Sequence, residues 1–456
     1  MTATETEQLR SLAEKHLWMH SADWAQVALE GEPLIMVQGQ GMRVTDSEGN
    51  SWIDANAGYA SVNVGYGRQE IAEAAYEQMR QISYFPQRSA NPPTIRLVAK
   101  LAQITPGSLS RTFLSSGGSE ANETALKIAR AYHHRRGENN RHKIISRRGS
   151  YHGATAGVLW LGSAEGTVLS DYDPSYPGVL HAPQPNSYRC EYESSNATEC
   201  ATRCATAIEE LIQTHGAETV AAVIAEPVTS GPGAIVPGDG YWPRLREICD
   251  RYGVLLIADE VITGFGRTGK MFAVEHWNVV PDLITMAKGM CSTYLPLGAT
   301  IARQEIADEF TGEGRCFQHV FTAAGHPVPA AAGLKNIEII EREKLVENAR
   351  EVGAYFRCHL QALQEKHAMI GDVRGIGLML SMELVADRKT KACFPVEQKI
   401  PRRLMAAFKK RRLLLRAHGN VIINLSPPLC VSRPDVDEIV ALIDDSLAEV
   451  GKELDS

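Results

Sequence analysis

Short apolar runs alternate with segments of helical periodicity between about residues 65 and 330, and this alternation restricts the possible folds more than any other feature. The runs are too continuously apolar for strands with one solvated face, so each predicts a strand buried on both sides. Strands separated by helices form a mainly parallel sheet with helices on both faces, which predicts an α/β fold. The predicted strands are residues 111–116, 142–146, 220–226, 254–259, 283–287 and 298–302.

The chain changes character after about residue 330, where two long helical stretches flank β-rich segments at 373–384 and 421–425. This order predicts a smaller α+β domain. Near the other end, turn residues between two β-rich runs predict a hairpin over residues 41–54. A chain of 456 residues is long enough for two domains. The predicted divisions are a large domain, 65–330, and a small domain built from an N-terminal segment, 1–64, and a C-terminal segment, 331–456.

The composition is that of an ordinary globular enzyme, with 44% hydrophobic and 22% charged residues. A formal net charge of −7 argues against a nucleic-acid or anionic-membrane partner. No apolar stretch approaches the roughly 20 residues that span a bilayer, and the first residues do not resemble a signal peptide. The nine scattered cysteines favour a reduced, cytoplasmic protein. Helical spacing explains the closest pair, Cys200 and Cys204, as well as a metal would, so no metal is predicted.

Two of the predicted strands deliver a lysine and an aspartate to their carboxyl ends: Lys288 follows 283–287, and Asp259 is the last residue of 254–259. A buried lysine is costly unless its amine is used chemically, for example in a Schiff base. A nearby carboxylate can keep a pyridinium nitrogen protonated, and the pair therefore suggests pyridoxal phosphate (PLP). A lone lysine here would more often keep its ammonium group in solvent, so the prediction of a PLP cofactor depends on the other motifs.

A glycine-rich turn and an aromatic dipeptide follow two further predicted strands. Gly118 and Ser119 open a predicted helix, where the free N–H groups of the first turn can bind a phosphate; an ordinary N-cap is the equal alternative. Tyr151 can stack on a flat cofactor ring and His152 can support a carboxylate. Taken alone, a core aromatic explains Tyr151 better.

Three further positions suit the same edge of the sheet. Glu226 precedes a proline at a strand end, which is also what a simple turn would show. Thr322 follows the last strand of the large domain, where its hydroxyl could reach a phosphate across a subunit boundary, or could belong to an ordinary loop. Arg416 ends an apolar run and could bind a carboxylate through two hydrogen bonds, or form a surface salt bridge.

The glycines at 264, 266 and 269 match a dinucleotide-binding fingerprint in spacing only. They open no convincing apolar helix, and no acidic residue ends a second strand about 20 residues later. A glycine-rich loop at the active site is the better interpretation.

The order of these motifs resembles that of class-III aminotransferases, which are fold-type I PLP enzymes, over about residues 15–450. The resemblance implies a sheet of the seven-stranded type in the large domain, with the small domain beside it. Ornithine and 4-aminobutyrate enzymes usually carry Gln-Gly-Glu-Gly-Gly after the Glu-Pro pair, where this chain has residues 228–233, so the chain is most similar to the ω-amine:pyruvate transaminases. The matching motifs are residues 116–122, 151–153, 226–227, 259–269, 287–289 and 321–327.

The resemblance assigns roles around the cofactor. Lys288 is implied to be the Schiff-base lysine and proton carrier, and Asp259 the partner of the pyridinium nitrogen. Val261 and Tyr151 are implied to pack on opposite faces of the ring. The implied cofactor-binding residues are Gly118, Ser119, Tyr151, His152, Glu226, Asp259, Val261, Lys288 and Thr322, the last from a neighbouring subunit.

The resemblance also implies a substrate pocket. Arg416 matches the mobile arginine that binds the acceptor's carboxylate. Many amine transaminases carry a bulky Trp near the position of Ala60, so a small residue there implies a larger amine pocket. Val320 also departs from the family, which often has Gly before its Phe-Thr pair. The implied pocket residues are Tyr59, Ala60, Phe85, Ala154, Gly231, Ile262 and Arg416.

The implied activity is transfer of an amino group from a bulky or long-chain primary amine to a keto acid, with pyruvate as the expected acceptor. The implied kinetics are ping-pong, and the implied assembly is a homodimer with shared sites that could pair into a tetramer. The alternatives are a PLP-dependent aminomutase, racemase or decarboxylase, a non-catalytic binding protein, and a nicotinamide-dependent dehydrogenase. A requirement for a second substrate separates a transaminase from an aminomutase.

Overall fold

The computed structural model describes residues 1–20, 24–29, 33–86, 88–163, 169–419 and 421–454. The strands are β1 (Met36–Gln40), β2 (Arg43–Asp46), β3 (Ser51–Asp54), β4 (Leu109–Ser115), β5 (Lys143–Arg147), β6 (Val179–Ala182), β7 (Val220–Ala225), β8 (Leu255–Asp259), β9 (Leu283–Met286), β10 (Gly298–Arg303), β11 (Ile370–Ile376), β12 (Met379–Leu384), β13 (Leu413–Leu414), β14 (Arg416–His418) and β15 (Ile422–Leu425).

The helices lie between these strands and at both ends of the chain. They are α1 (Ala3–His16), α2 (Trp24–Leu29), α3 (Ala57–Ala60), α4 (Gln69–Gln81), α5 (Pro92–Ile104), α6 (Gly118–Arg135), α7 (Ala156–Leu159), α8 (Ala197–His215), α9 (Tyr241–Tyr252), α10 (Gln304–Asp308), α11 (Pro327–Arg342), α12 (Leu345–Lys366), α13 (Ile400–Lys410) and α14 (Arg433–Leu454). None that the structure describes is long and apolar enough to cross a membrane.

A seven-stranded sheet forms the centre of the molecule, in the order β4-β10-β9-β8-β7-β5-β6. Strands β6, β5, β7, β8 and β9 are parallel to one another. Every residue of β7, β8 and β9 is buried, as their continuous apolar sequences predicted. The predicted α/β fold with a mainly parallel sheet is therefore confirmed.

Strand β10 is the exception, because it runs antiparallel to both β9 and β4. The connection from β9 to β10 contains only a short 3-10 helix, Lys288–Met290, which is too little chain for a parallel crossover. Strand β6 lies at the sheet edge, and most of its residues are only partly buried. The weak apolar character of that edge strand explains why its sequence did not predict it.

Two four-stranded sheets form the rest of the β-structure, in the orders β1-β2-β3-β13 and β11-β12-β15-β14. The predicted hairpin over residues 41–54 is confirmed by the antiparallel pair β2–β3. The parallel pair β3–β13 joins the N-terminal and C-terminal segments in one sheet. The segment 373–384 contains two strands with a tight turn between them, so the single strand predicted there was incomplete. The domain boundaries at residues 64 and 330 stay a prediction.

Candidate active site

The carboxyl edge of the central sheet brings the predicted catalytic side chains together. Strand β4 is antiparallel to β10, which is antiparallel to β9, so β4 runs in the same direction as β5, β7, β8 and β9. Ligands of such sheets bind outside this edge. A cleft opens here. It is lined by Gly118, Ser119, Asn122, Tyr151, His152, Gly153, Glu226, Asp259, Val261, Ile262, Thr263 and Lys288.

Asp259, the last residue of β8, is buried in the floor of this cleft. Its Oδ2 atom lies 2.7 Å from His152 Nδ1 and accepts a hydrogen bond of 2.8 Å from Asn122 Nδ2. Its Oδ1 atom accepts a hydrogen bond of 3.0 Å from the Val261 N–H. Burial raises the pKa of a carboxyl group, but these contacts outweigh it and lower the pKa of Asp259 below its ordinary value. The side chain is therefore a carboxylate at neutral pH.

The next residue, Glu260, is also buried, but its donors are a hydroxyl and backbone N–H groups and include no histidine. It does not line the cleft. Its carboxylate accepts hydrogen bonds from the Thr263 hydroxyl and from the Val274 N–H. Burial dominates, and it raises the pKa of Glu260 to about 7. Of the two adjacent acids, the cleft therefore receives the one that stays ionised.

His152 and Asn122 form a polar layer beside Asp259. Asn122 Nδ2 also donates to the carbonyl oxygen of His152 at 2.7 Å, which connects helix α6 to the segment after β5. His152 is almost fully buried, yet its Nε2 atom has no hydrogen-bond partner among the described residues. The Oδ1 atom of Asn122 also lacks one there. Buried polar atoms are normally paired, so these two are available to a bound group.

Lys288 follows β9 and enters the same cleft in a left-handed backbone conformation, with φ of 37°. Its side chain is partly buried. Burial lowers its pKa to about 8, against the opposing effect of the negative charges on Asp259 and Glu226. A neutral amine is thus well populated near pH 8. That is the form that can act as a nucleophile or accept a proton.

Glu226 follows β7, and its buried carboxylate is held by backbone groups. Oε1 accepts a hydrogen bond from the Tyr151 N–H at 3.2 Å, and Oε2 accepts one from the Ser230 N–H at 3.0 Å. Burial raises its pKa, and the negative charge of Asp259 raises it further. The guanidinium of Arg147, fully buried, donates to the Glu226 carbonyl oxygen at 2.5 Å and thereby fixes this strand end.

The turn before α6 has the features of an anion site. The helix begins at Gly118, and its first N–H groups have no acceptor within the helix. A Cβ on Gly117 would meet nothing within 4 Å, whereas one on Gly118 would lie 2.8 Å from Val261 Cγ1. Glycine at 118 therefore allows Val261 to pack against the turn. Ser119 Oγ accepts a hydrogen bond from the Ala154 N–H at 3.1 Å, which fixes the hydroxyl at the cleft.

The cleft walls are less polar than its floor. Val261 and Ile262 contribute aliphatic surface, and Tyr151 contributes an aromatic ring that is 47% exposed. Burial raises the pKa of the Tyr151 hydroxyl, and the negative charge of Asp259 adds to this effect. A flat ring with an ionisable nitrogen would meet aliphatic and aromatic walls here above a carboxylate.

Several predicted site residues lie outside the cleft of the single chain: Tyr59, Ala60, Phe85, Ala154, Gly231, Thr322 and Arg416. Tyr59 and Arg416 contact each other, with the Arg416 guanidinium carbon 5.4 Å from the centre of the Tyr59 ring. The positive charge of Arg416 adds to the lowering of the Lys288 pKa by burial and partly opposes the rise that burial causes in the Tyr151 pKa.

Helix α3 is a single turn in which Ala57, Gly58, Tyr59 and Ala60 all have positive φ values between 44° and 67°. The carboxylate of Asp54 accepts hydrogen bonds from the Asn56 and Gly58 N–H groups and anchors it. Ala60 is buried, whereas Tyr59 is 65% exposed. A left-handed turn of non-glycine residues is costly and is seldom found without a functional reason.

Thr322 and Phe85 lie close together on the surface. The Tyr84 hydroxyl donates to the Thr322 carbonyl oxygen at 2.6 Å, which places the segment of Phe85 beside that of Thr322. Phe85 is 49% exposed, and Val320 is 76% exposed. Neither Phe85 nor Thr322 lines the cleft of its own chain.

The sequence did not point to Asn122 or Arg147 as contributors to the site. Asn122 lies three residues after Ser119 on α6, which puts both on one helix face, and that spacing could have identified it. Arg147 ends β5, in which residues 144–147 are all buried. A charged residue at the end of a buried strand was the available signal.

The chain is similar in sequence to known proteins along nearly its whole length. The family described as aminotransferase class-III matches residues 26–447. The chain belongs to the class-III aminotransferases. Taurine–pyruvate aminotransferase of Bilophila wadsworthia is 39% identical over 97% of both chains.

Two solved structures extend the comparison. An (S)-enantioselective ω-transaminase of Thermomicrobium roseum superposes with a TM-score of 0.93 at 41% identity, covering 99% of each chain. A thermostable ω-transaminase variant, in which a tryptophan is replaced by glycine for the synthesis of bulky amines, superposes with a TM-score of 0.92. It is 34% identical and covers 97% of this chain and 99% of its own.

Class-III aminotransferases use PLP, and the residues of the cleft fit that cofactor. Lys288 has no hydrogen bond or ion pair within the described part of the chain, so its amine is available for a covalent bond. Asp259 is ionised and can pair with a protonated ring nitrogen. The open turn at Gly117 and the first turn of α6 can hold a phosphate group. The chain is therefore a PLP-dependent aminotransferase.

Proposed function

We propose that this aminotransferase moves the amino group of a bulky or long-chain primary amine to pyruvate in a ping-pong reaction. The observation that carries the proposal is the pairing, in one cleft, of the unpartnered Lys288 amine with the ionised carboxylate of Asp259. Relatives that act on taurine with pyruvate, and ω-transaminases, support the class of donor and acceptor.

In this proposal the residues of the chain hold the cofactor, orient its ring and transfer a proton. The bound cofactor supplies an electron sink for the electron pair left when the donor's Cα proton is removed. Lys288 Nζ, neutral in a large fraction near pH 8, takes that proton and returns it later. Asp259 holds positive charge at the ring nitrogen, and His152 and Asn122 keep its carboxylate oriented and ionised. Tyr151 and Val261, which both line the cleft, would hold the ring between them.

Arg416 is the proposed receptor for the carboxylate of the acceptor. Its side chain is exposed, and the guanidinium carbon lies 5.4 Å from the centre of the Tyr59 ring. A cation over an aromatic face is held weakly, by about 0.5–1 kcal/mol at an exposed site, so a carboxylate can compete for it. This arrangement supports a side chain that leaves Tyr59 to bind pyruvate and returns when an amine without a carboxylate occupies the site.

The proposed preference for bulky donors depends on Ala60. The remaining predicted walls of the amine pocket are Tyr59, Phe85, Ala154, Gly231 and Ile262, of which Ile262 lines the cleft of the single chain. One structural relative carries a tryptophan-to-glycine replacement made for bulky amines. That relative supports the general idea that removing a large side chain from this class of pocket admits larger donors.

We also propose a cytoplasmic homodimer whose active sites are shared. The loop with Thr322 and the adjacent Phe85 would then complete the site of the other subunit, with Thr322 at the phosphate. Exposed apolar side chains in the neighbouring segments support an interface: Tyr76, Met79, Ile82, Phe85 and Val320. The cysteines of the chain are free, which fits a reducing compartment.

A donor screen tests the proposed function. The PLP-loaded protein is incubated with pyruvate and a series of primary amines that differ in length and bulk, and alanine is measured. We expect alanine formation with bulky or long-chain amines, and none with the Lys288→Ala variant as control. Conversion of an amine or amino acid without any keto acid would instead identify an aminomutase, racemase or decarboxylase.

A further inference from the structure

Three cysteines converge at a place unrelated to the substrate cleft. Cys200 and Cys204 lie on successive turns of α8 and are buried, and Cys190 lies in the loop before that helix and is partly buried. Their Sγ atoms all lie within 4.8 Å of one another. No other three His, Cys, Asp or Glu side chains in the described ranges bring their ligand atoms together in this way.

The spacing of the sulfur atoms suits a metal ion after a small contraction. A Zn–S bond of about 2.3 Å in tetrahedral geometry separates neighbouring sulfurs by about 3.8 Å. The two helical cysteines are fixed one turn apart, whereas Cys190 lies in a loop that connects to the helix only at Ala197. The loop residue can therefore move by the distance that closure around an ion requires.

An oxygen donor is also available at the cluster. The Ser194 hydroxyl lies 3.3 Å from Cys190 Sγ. The thiol of Cys204 points toward the Gln184 carbonyl oxygen, at 3.5 Å. Three thiolates with one oxygen ligand form a four-coordinate set of the kind that zinc accepts. Soft thiolate ligands favour d10 cations over magnesium or calcium, which prefer oxygen.

We propose that Cys190, Cys200 and Cys204 bind a thiophilic divalent d10 cation of the zinc class, which fixes the loop before α8 to that helix. The site is structural and separate from catalysis. It nevertheless lies near the support of the active site. The Thr229 hydroxyl donates to Gln184 Oε1 at 3.1 Å and accepts from Arg147, the residue that holds the Glu226 carbonyl. Binding of the ion would therefore stabilise the packing beneath the cofactor cleft.

Metal stoichiometry and thermal unfolding of the PLP-loaded protein test this proposal. The reduced protein is incubated with Zn²⁺, freed of loosely bound ion, and analysed for zinc. We expect about one ion per chain and a higher unfolding midpoint than that of chelator-treated protein. Replacement of zinc by Co²⁺ should give the intense visible absorption of a tetrahedral site with thiolate ligands.

Variants locate the ion. Cys204→Ser should lose stoichiometric zinc and the chelator-dependent shift of the midpoint, while Cys249→Ser, a buried cysteine on α9, should keep both. Cys190→Ser removes the loop ligand and serves if Cys204→Ser does not fold. Absence of stoichiometric zinc from the reduced parent protein would overturn the proposal. So would zinc retained by Cys190→Ser, or a disulfide within the cluster that forms in place of metal binding.

Discussion

The pKa of Lys288 has a direct consequence for cofactor attachment. An ordinary lysine, with a pKa of about 10.4, would remain largely protonated at pH 9. Burial lowers the pKa of Lys288 to about 8, so the neutral amine that attacks an aldehyde becomes the major form above that pH. We expect the rate constant for PLP uptake by the apoenzyme to rise with pH and to level off above about 8. Stopped-flow absorbance at a series of pH values measures it.

The same experiment has an internal control. The negative charge of Asp259 favours the ammonium form of Lys288, so Asp259→Asn should move the midpoint of the uptake profile to lower pH. A midpoint near 10 in the parent protein would show that the amine is not desolvated. An unchanged midpoint in the variant would show that the two side chains do not interact.

Asp259 also has a role during turnover that its charge should decide. Asp259→Asn keeps the shape of the side chain but removes the negative charge opposite the cofactor ring. Loss of one preorganised electrostatic contact costs about 3–4 kcal/mol, so we expect kcat to fall by about 100-fold or more. Glu260→Gln is the matched control, because Glu260 is also buried but does not line the cleft, and it should keep kcat within a few fold. Equal losses in both variants would attribute the effect to packing.

Arg416 should distinguish the two halves of the reaction. Arg416→Ala removes the proposed contact with the pyruvate carboxylate but leaves a donor without a carboxylate unaffected. We expect the pyruvate half-reaction to slow far more than the amine half-reaction, as measured by single-turnover absorbance. Arg412→Ala, which removes an exposed arginine that donates to Asn50, is the control and should change neither half-reaction. Equal slowing of both half-reactions by Arg416→Ala would make Arg416 structural.

At the scale of single elements, the left-handed turn of α3 determines where residue 60 lies. A left-handed conformation costs about 1–2 kcal/mol for each non-glycine residue, and Asp54 offsets part of this cost through the two N–H groups it accepts. Ala60→Trp should therefore place a large side chain at the pocket while the turn persists. We expect kcat/KM to fall for bulky donors and to change little for small ones.

The conservative variant Ala60→Gly separates pocket size from backbone strain. Glycine tolerates positive φ, so this variant should raise the free energy of unfolding and keep the donor profile of the parent. In the parent protein, which has no tryptophan at position 60, each additional CH₂ of the donor can contribute up to about 0.8 kcal/mol of binding. A parent profile that is flat across a homologous amine series, or a uniform loss in Ala60→Trp, would contradict a role of Ala60 in donor size.

The sequence predicted the elements where a single physical signal dominates. Continuous apolar runs predicted β7, β8 and β9, every residue of which is buried. It did not predict the direction of β10, which depends on the length of the preceding connection. Nor did it predict the α3 turn, since Ala57 and Tyr59 have no preference for left-handed backbone and are held there by Asp54.

At the scale of the whole molecule, the predicted site residues divide by whether one chain can bring them together. Those at the ends of parallel strands, such as Lys288 and Asp259, meet because the carboxyl ends of parallel strands lie at the same edge of the sheet. Thr322 and Phe85 were predicted from resemblance, and they remain on the surface of their own chain. In a dimer, these two residues would complete the cleft of the other subunit, although they do not line the cleft of their own chain.

Subunit complementation tests the shared active site. One variant, Lys288→Ala, lacks the reactive amine. The other, Thr322→Arg, keeps the amine but places a bulky cation where we expect the phosphate of the neighbouring subunit. Each homodimer should be nearly inactive. In a mixed dimer, one site combines an intact Lys288 with an intact Thr322 of the other subunit, so unfolding and refolding an equal mixture should restore about a quarter of the sites.

The control is a mixture of Lys288→Ala with Asp259→Asn, whose lesions both lie in the cleft of one chain. This mixture would regain about a quarter of the sites only if every site used Lys288 and Asp259 from different chains. The cleft holds both side chains in one chain, so we expect no such recovery. Recovery in the Thr322→Arg mixture alone therefore identifies Thr322 as the residue that crosses the interface. A fully active monomer in light scattering, or a Thr322→Arg mixture that stays inactive although mixed dimers form, would contradict the shared site.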